Sequence, residues 1–161
     1  MIVKSTDLDA LVFDFDGVLT DNRVLVFSDG SEAVICNRAD GLAFDHFRAC
    51  DFRVHIVSTE TNPVVRARGA KLQVPVMDSV ANKALAIAEL CETEGYEAAR
   101  LMFVGNDLND LPAMAAVGYA VAVADAHPKV LDAADHILTT RGGDGVAREI
   151  KESVIGFDAA P

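Results

Sequence analysis

The stretch from Leu11 to Asp21 constrains the fold of this chain more than any other. A run of apolar residues ends in Asp14 and Asp16, and Gly17 follows. Such a run, closed by glycine, predicts a buried strand in the middle of a sheet. Side chains two positions apart on a strand point the same way, so both carboxylates should lie at its carboxyl edge, where open α/β sheets bind ligands. Because neighbouring carboxylates repel each other, a hard divalent cation such as Mg2+ is expected there.

Two interpretations of the Asp-x-Asp pattern stay open at this point. The two aspartates could simply be solvated at a polar strand end. Alternatively, they form a phosphotransfer site in which Asp14 is the nucleophile, Asp16 is the general acid and base, and Mg2+ lies between protein and phosphate. The second interpretation requires further functional groups at the ends of neighbouring strands.

Apolar runs at residues 52–57, 73–77, 100–104, 119–123 and 136–138 alternate with helical patterns. This alternation predicts an α/β fold of three layers, α/β/α, with a doubly wound, Rossmann-like parallel sheet in one domain over residues 1–161. Before the first helix, two β-prone runs flank Asp29 and Gly30, which predicts a β-hairpin at residues 22–37. The hairpin is a flap beside the site, an oligomer contact, or a plain surface hairpin without a function. No longer insertion is present, so no cap domain is expected.

Polar residues at the predicted strand ends supply the further groups. Ser58 follows the second strand and could bond a phosphate oxygen, or it could merely cap the next helix. Lys83 lies in the first turn of a predicted helix, where a positive charge is unfavourable because of the helix dipole. It is either a solvated surface charge or a group that reaches Asp14. The turn 105–110 crowds four carboxylate or amide side chains after the fourth strand.

Helix caps account for part of this polarity. Asp40 is predicted as the N-cap of a helix that runs to about Ala49. In the acidic turn, Asn109 or Asp110 is predicted to cap a helix at 111–117. Capping explains one or two of the four polar residues in that turn but not all of them.

Composition excludes several kinds of partner. A net charge of -11 argues against nucleic acid and against an anionic membrane. The three cysteines show no CxxC spacing and predict reduced thiols in a cytoplasmic protein. No apolar run is long enough to span a bilayer, and residues 1–10 lack a signal-peptide pattern.

The order of these motifs resembles the haloacid dehalogenase-like (HAD) phosphohydrolase superfamily. The closer resemblance is to the small cap-less branch that contains 3-deoxy-manno-octulosonate 8-phosphate phosphatase. It is closest to the 2-keto-3-deoxynononate/sialic acid 9-phosphate phosphatases and to the phosphatase-like domain of acylneuraminate cytidylyltransferases. The resemblance covers about residues 8–150. The stretches that carry it are FDGVLTD (15–21), NRADG (37–41), STETNPVV (58–65), GNDLND (105–110) and RGGDG (141–145).

The resemblance implies a Mg2+-dependent phosphatase that forms an aspartyl-phosphate. Asp14 would attack phosphorus, and Asp16 would protonate the leaving oxygen and then activate water. Ser58 and Lys83 would hold the phosphoryl oxygens. The Asp14 carboxylate, the Asp16 main-chain carbonyl and an oxygen of the 105–110 turn would bind the metal.

The same resemblance implies which residues select the substrate. A Glu, an Arg and a Lys after the second strand do so in the sugar-acid phosphatases of this branch, and Glu60, Arg68 and Lys71 match them. Thr59 is a further candidate substrate contact. The substrate would be a 2-keto sugar-acid phosphate. Related proteins are tetramers in which a neighbouring hairpin or loop closes the site, so a homotetramer is expected.

One residue departs from the superfamily pattern. Asn106 stands where an aspartate usually binds Mg2+. An amide oxygen can still be a ligand but carries no charge, and Asp107 or Asp110 could compensate. The departure motivates an alternative hypothesis, a catalytically weak domain that serves tetramer assembly or the regulation of a sugar nucleotidyltransferase. A receiver-type signalling domain ranks last, because its phosphoacceptor lies on a later strand than its paired acids.

Overall fold

The structure is a computed structural model that describes residues 3–157. Its strands are β1 (Val3–Lys4), β2 (Ala10–Phe13), β3 (Thr20–Val26), β4 (Glu32–Cys36), β5 (Val54–Val57), β6 (Val76–Met77), β7 (Leu101–Gly105), β8 (Tyr119–Ala122), β9 (His136–Ile137) and β10 (Ile155–Gly156). Its α-helices are α1 (Arg38–Ala49), α2 (Val64–Leu72), α3 (Lys83–Glu94), α4 (Leu111–Met114), α5 (Pro128–Ala133) and α6 (Val146–Glu149). Short 3-10 helices lie at Ser5–Asp7, Ala98–Arg100 and Leu108–Asp110, and a π-helix lies at Ile150–Val154.

Six strands form one parallel sheet in the spatial order β6-β5-β2-β7-β8-β9. The chain moves outward from β2 through β5 to β6, then returns to the other side of β2 with β7 and continues to β8 and β9. Such a reversal is the place where open α/β sheets form ligand sites. The predicted doubly wound parallel sheet is therefore confirmed, and the carboxyl ends of β5, β2 and β7 lie side by side.

Helices cover both faces of this sheet and complete the three layers. α1 contacts α2 and α6, whereas α3 contacts α4, and α4 contacts α5. All four residues of β2 are fully buried, and the Phe13 ring lies 5.6 Å from that of Phe44 on α1. Burial of such apolar surface is the main stabilising term of the fold. The burial of β2 also fixes the position of Asp14, which directly follows this strand.

The predicted hairpin is present and stands apart from the main sheet. β3 and β4 pair antiparallel, with Val26 opposite Glu32. Phe27 N donates to Ser31 O at 2.8 Å and closes the turn. The hairpin carries large apolar side chains that are at least 49% exposed: Val24, Leu25, Val26, Phe27 and Ile35.

One capping prediction was wrong, and a second was right in position only: Asp110 is the N-cap residue of α4, but its side chain makes no capping hydrogen bond to that helix. Asn37, not Asp40, caps α1, because its side chain accepts from Ala39 N at 2.9 Å. In the acidic turn, Asp107 and Asp110 form a reciprocal capping box around the 3-10 helix Leu108–Asp110. The helix predicted at 111–117 ends at Met114.

Asp40 is instead a buried acid that holds another helix. It is 1% exposed, and its Oδ1 accepts from Ala147 N, in the first turn of α6, at 2.9 Å. Its Oδ2 has no hydrogen-bond partner among the described residues. Burial raises the pKa of Asp40 to about 6, although the backbone N–H groups of Ala147 and Arg148 and the charge of Arg68 oppose the rise.

This burial predicts a pH-dependent stability. An unfolded aspartate titrates near pH 4, so the folded chain binds the proton of Asp40 more tightly between about pH 4 and 6. The free energy of unfolding should therefore fall by about 3 kcal/mol in total, relative to Asp40→Asn, as the pH rises through that window, and about 2 kcal/mol of this fall lies above pH 4.5. Urea unfolding of both proteins from pH 4.5 to 7.5 measures this difference. If the free energies of unfolding of the wild type and Asp40→Asn change with pH in parallel, the prediction is wrong.

Two further findings concern the cysteines and the apolar character of the helices. Cys36, Cys50 and Cys91 are free thiols, each half-buried. Within residues 3–157, no helix combines the length and the apolar character needed to cross a membrane.

Candidate active site

The end of β2 delivers the two aspartates to the reversal point of the sheet. Asp14 directly follows β2, and its N–H donates to the Val104 carbonyl of β7 at 2.9 Å. Asp14 is 4% exposed, whereas Asp16 is half-buried. The chain then turns sharply, because the N–H groups of Leu19 and Thr20 both donate to the carbonyl of Phe15, at 2.9 and 3.2 Å. Asp14 therefore faces the interior of the site and Asp16 its rim.

A buried lysine joins two carboxylates beneath the site. Lys83 Nζ lies 2.6 Å from Asp14 Oδ1 and 2.6 Å from Asp110 Oδ1. Lys83 reaches inward from the first turn of α3, whose N-cap is Asn82. Such short, charge-assisted contacts fix the geometry of all three groups. The surface-charge interpretation of Lys83 is thereby wrong.

The sequence predicts Asp110 only as a helix cap or as a residue that compensates for Asn106, and not as the partner of Lys83 that the structure shows. Its Oδ2 accepts from the N–H groups of Asn106 at 2.8 Å and Asp107 at 3.1 Å, while its Oδ1 receives Lys83. It is fully buried. Gly105 is required beside it, because a Cβ there would lie 2.7 Å from Asp110 Cβ. The signal in the sequence was the surplus of acids in the 105–110 turn, which capping alone did not explain.

The charges of Lys83, Asp14 and Asp110 do not cancel one another. Burial raises the pKa of Asp14, and the nearby charge of Asp110 raises it further, while Lys83 opposes the rise. Burial lowers the pKa of Lys83, but the two carboxylates outweigh this and raise it above its usual value. One ammonium thus faces two carboxylates, so the site favours a further positive charge near Asp14.

Asn106 lies where such a charge would be held. The side-chain amide atom that faces the site lies 3.0 Å from the Asp16 main-chain oxygen and 3.1 Å from Asp14 Oδ2. With nitrogen on that side, the amide donates to both oxygens. With oxygen on that side, three oxygens converge, and about 3.0 Å is the separation of adjacent ligands around Mg2+ at its usual bond length. The residues present therefore fit a small divalent cation.

This donor set is unlike a cluster of acidic side chains. No group of three or more His, Cys, Asp or Glu side chains suited to a metal occurs between residues 3 and 157. The oxygens beside Asn106 are instead one carboxylate, one main-chain carbonyl and one amide. All three are hard ligands of the kind that Mg2+ prefers.

Asp16 has the environment of a proton donor. Burial raises the pKa of Asp16 above its usual value, and the charge of Glu60 raises it further. Its one side-chain partner within the described chain is the Thr20 hydroxyl at a long 3.5 Å. A carboxyl group that is readily protonated and loosely held can give a proton to a substrate at the rim.

The loop after β5 brings a buried hydroxyl to the same edge of the sheet. Ser58 is 1% exposed, and its Oγ accepts from Glu60 N at 3.1 Å. The Glu60 carboxylate turns back on its own loop and accepts from the N–H groups of Thr61 at 2.7 Å and Asn62 at 2.8 Å. Thr59 is exposed beside them.

Like the residues of the 58–60 loop, the predicted site residues Arg68, Lys71 and Asp107 form no hydrogen bond or ion pair with Asp14, Asp16 or Lys83 in the described chain. Arg68 donates from Nη2 to the Asn37 carbonyl at 2.8 Å, at the base of the hairpin. Lys71 is exposed in the last turn of α2. The side chain of Asp107 is exposed and accepts from Leu108 N at 2.7 Å.

Comparisons with known proteins agree with this geometry. Residues 48–150 match the model of a haloacid dehalogenase-like hydrolase family. The 3-deoxy-D-manno-octulosonate 8-phosphate phosphatase of Escherichia coli is 33% identical over 151 residues, which are 93% of this chain and 80% of that protein.

Solved structures share the fold. A HAD family protein from Streptomyces avermitilis superposes with a TM-score of 0.92 at 47% identity, covering 96% of this chain and 88% of that one. A 3-deoxy-D-manno-octulosonate 8-phosphate phosphatase from Moraxella catarrhalis, in complex with a magnesium ion, a phosphate ion and a KDO molecule, superposes with a TM-score of 0.88 at 25% identity. It covers 92% of this chain and 86% of that one. The chain therefore belongs to the haloacid dehalogenase-like hydrolase family, and it is a phosphatase, a phosphoric monoester hydrolase.

Proposed function

We propose that this enzyme is a Mg2+-dependent phosphatase of a 2-keto sugar-acid phosphate. The substrate class is the 9-phosphate of ketodeoxynononate or sialic acid, or the 8-phosphate of ketodeoxyoctonate. The observation that carries the proposal is Asp14, held by Lys83 at 2.6 Å and facing the Asn106 amide at 3.1 Å, with Asp16 at the rim. The 33% identity to an 8-phosphate phosphatase supports the substrate class. The free thiols favour the cytoplasm as its location.

The residues of the site divide the reaction into two steps. In the first, an Asp14 oxygen bonds to phosphorus, the bond to the leaving oxygen breaks, and Asp16 gives its proton to that oxygen. In the second, Asp16 takes a proton from water, whose oxygen bonds to phosphorus as the bond to Asp14 breaks. Inorganic phosphate leaves and Asp14 is restored. The Ser58 hydroxyl and the Lys83 ammonium hold phosphoryl oxygens during both steps.

In this proposal, three oxygen atoms would be the protein ligands of the cation. The Asp14 carboxylate, the Asp16 main-chain oxygen and the Asn106 amide oxygen would bind it. When bound, Mg2+ neutralises charge on the phosphoryl oxygens. Asp107 would become a ligand only by leaving its cap on Leu108.

Substrate selection is assigned to the loop after β5 and to α2. Thr59 and Glu60 lie next to Ser58, so they can contact the sugar beyond the phosphate. Arg68 and Lys71 supply positive charge for the sugar-acid carboxylate on a chain whose net charge is -11. For Arg68 this requires its guanidinium to exchange the Asn37 carbonyl for the substrate.

Phosphate release by the purified protein tests the proposal. The assay uses the three sugar-acid phosphates and simple hexose phosphates, each with Mg2+ and with EDTA. We expect release from a sugar-acid phosphate that requires Mg2+ and exceeds release from hexose phosphates. If the folded protein releases phosphate from none of them, the proposal is wrong, and the assembly or regulatory role motivated by Asn106 takes its place.

The departure at Asn106 predicts a gain of affinity for the metal. Asn106→Asp should strengthen Mg2+ binding about tenfold, because one added charge beside the ion is worth on the order of 1 to 2 kcal/mol. Isothermal titration with Mg2+ measures this directly. Asn109→Asp is the matched control, since it adds the same charge to an exposed position of the same turn. Equal affinities of the two variants would contradict the assignment.

We also propose a homotetramer in which hairpins of neighbouring copies pack on one another. The apolar residues of β3, with Leu25 60% exposed, support this, because an exposed apolar patch of this kind marks an interaction surface. Light scattering should give the mass of four chains for the wild type and a smaller mass for Leu25→Glu. Leu42→Glu, at a 66% exposed leucine of α1, is the control. A monomeric wild type would refute the proposal.

A further inference from the structure

The glycine-rich loop at residues 141–145 lies directly on the turn at residues 16–21. Gly142 is buried, and a Cβ added to it would lie 2.0 Å from the carbonyl oxygen of Gly17 and 2.7 Å from the carbonyl carbon. These separations are far below van der Waals contact. Only glycine allows the two backbones to approach so closely at this position.

Gly143 makes the next contact along the same turn. Its N–H donates to the Val18 carbonyl at 3.0 Å, and an added Cβ would lie 2.5 Å from Asp21 N. Its φ is +77, a left-handed conformation that favours glycine. Two consecutive residues of the loop therefore touch the backbone of the turn from one side.

Asn106 also touches this turn, at Gly17. A Cβ on Gly17 would lie 2.0 Å from Asn106 Nδ2, so the amide rests against the Gly17 backbone. Gly17 thus lies against both Gly142 and Asn106. The preceding residue is Asp16, whose main-chain oxygen lies 3.0 Å from the same amide.

The loop has its own anchors, which do not depend on the turn. Gly142 N donates to Asp125 Oδ1 at 2.9 Å, and Ala124 N donates to the Thr140 carbonyl at 3.0 Å. Thr140 N donates to Glu149 Oε2 on α6 at 2.7 Å. A segment held both from the residues that follow β8 and from α6 can act as a fixed support for the turn that it touches.

We propose that Gly142 and Gly143 are positioning residues, which hold the backbone of the 16–21 turn at its contact with Asn106 and so fix the main-chain oxygen and the carboxylate of Asp16. The inference deepens the proposed function and rests on it. The weak hold on the Asp16 side chain, a single 3.5 Å hydrogen bond from Thr20, leaves its position to the backbone of the turn. Displacing a catalytic group by about 1 Å can lower a rate about 10²-fold.

Alanine substitutions in the full-length protein test this role, with Mg2+ alone as the binding probe. Gly142→Ala should weaken Mg2+ binding at least about tenfold and lower kcat about 10²-fold. Gly118→Ala is the matched control, because its Cβ would lie 1.9 Å from the Ala99 carbonyl oxygen, before β7 and β8 at the opposite edge of the sheet. Gly143→Ala should weaken Mg2+ binding in the same direction, because its Cβ would lie 2.5 Å from Asp21 N; its control is Gly95→Ala, with φ +75 and open space around it.

Thermal unfolding shows which variants are folded. A folded Gly142→Ala whose Mg2+ affinity and kcat lie within about twofold of those of Gly118→Ala overturns the inference. If Gly142→Ala does not fold, Asp125→Ala decides, because it frees Gly142 N without a steric clash. Asp125→Ala should weaken Mg2+ binding severalfold. Asp125→Asn should bind Mg2+ as the wild type does, because its amide oxygen still accepts from Gly142 N. Equal Mg2+ affinities of Asp125→Ala and Asp125→Asn overturn the inference. A wild type that binds Mg2+ but cleaves no sugar-acid phosphate refutes the proposed function, while the Mg2+ titrations still test the positioning role.

Discussion

Replacing Asp14 by asparagine is expected to lower kcat for phosphate release at least about 10⁴-fold, the scale of loss when a covalent nucleophile is removed. An amide cannot form the acyl phosphate, although it has nearly the same shape as the carboxylate. The fold should be retained, because Lys83 keeps its 2.6 Å contact with Asp110. The free energy of unfolding should not fall, since a fully buried carboxylate is removed from a group with one carboxylate too many.

The measurement is single-turnover and steady-state phosphate release from the best substrate of the wild type, with circular dichroism to verify the fold. Asp132→Asn, at an exposed position of α5, is the control for a change of the same chemistry elsewhere. Turnover by folded Asp14→Asn within about tenfold of the wild type would show that Asp14 is not the nucleophile.

Replacing Lys83 by methionine is expected to have the largest effect on stability. Lys83 is buried between two carboxylates, so its removal leaves Asp14 and Asp110 facing each other without a cation. Breaking a buried ion pair by removing one partner typically destabilises a protein by about 3–5 kcal/mol. Activity should be lost as well, because Asp14 loses the contact that orients it.

Urea unfolding of Lys83→Met at neutral pH measures this loss, with Lys129→Met, an exposed position of α5, as the control. Part of the loss should be recovered at lower pH, because protonation of a carboxylate removes the repulsion. Mg2+ should also restore stability, since a cation that binds only the folded site stabilises it. A loss no greater than that of the control would show that the two carboxylates do not depend on Lys83.

Local patterns in the sequence were sufficient to predict the sheet and the meeting of Asp14, Lys83 and the 105–110 turn at one edge of it. The apolar run before Asp14 and the acids of the 105–110 turn identify strands whose ends meet in any doubly wound sheet. Lys83 was recognisable because a cation in the first turn of a helix is unfavourable unless something else holds it. The receiver-type hypothesis was wrong, as the family match shows, and its paired acids would have lain on a different strand from the nucleophile.

The errors concern acids whose partners are distant in the chain. Asp40 has the residue type and place of an N-cap, yet it accepts from Ala147, 107 residues later. Asp110 caps a short helix and binds Lys83 at the same time, and a local rule can detect only the first of these roles. Capping propensity depends on residues that are neighbours along the chain. The role of a buried charge depends instead on the partners that the tertiary fold brings close to it.

The edges of the main sheet have a consequence for assembly. β6 and β9, the outermost strands, have two residues each. Short edge strands offer few unpaired backbone groups, which is one of the ways in which natural proteins prevent edge-to-edge aggregation. The large sheet is therefore a poor template for the addition of another chain. Growth by pairing at the edges of this sheet is therefore disfavoured, which leaves other surfaces, such as the β3–β4 hairpin, for contacts between copies.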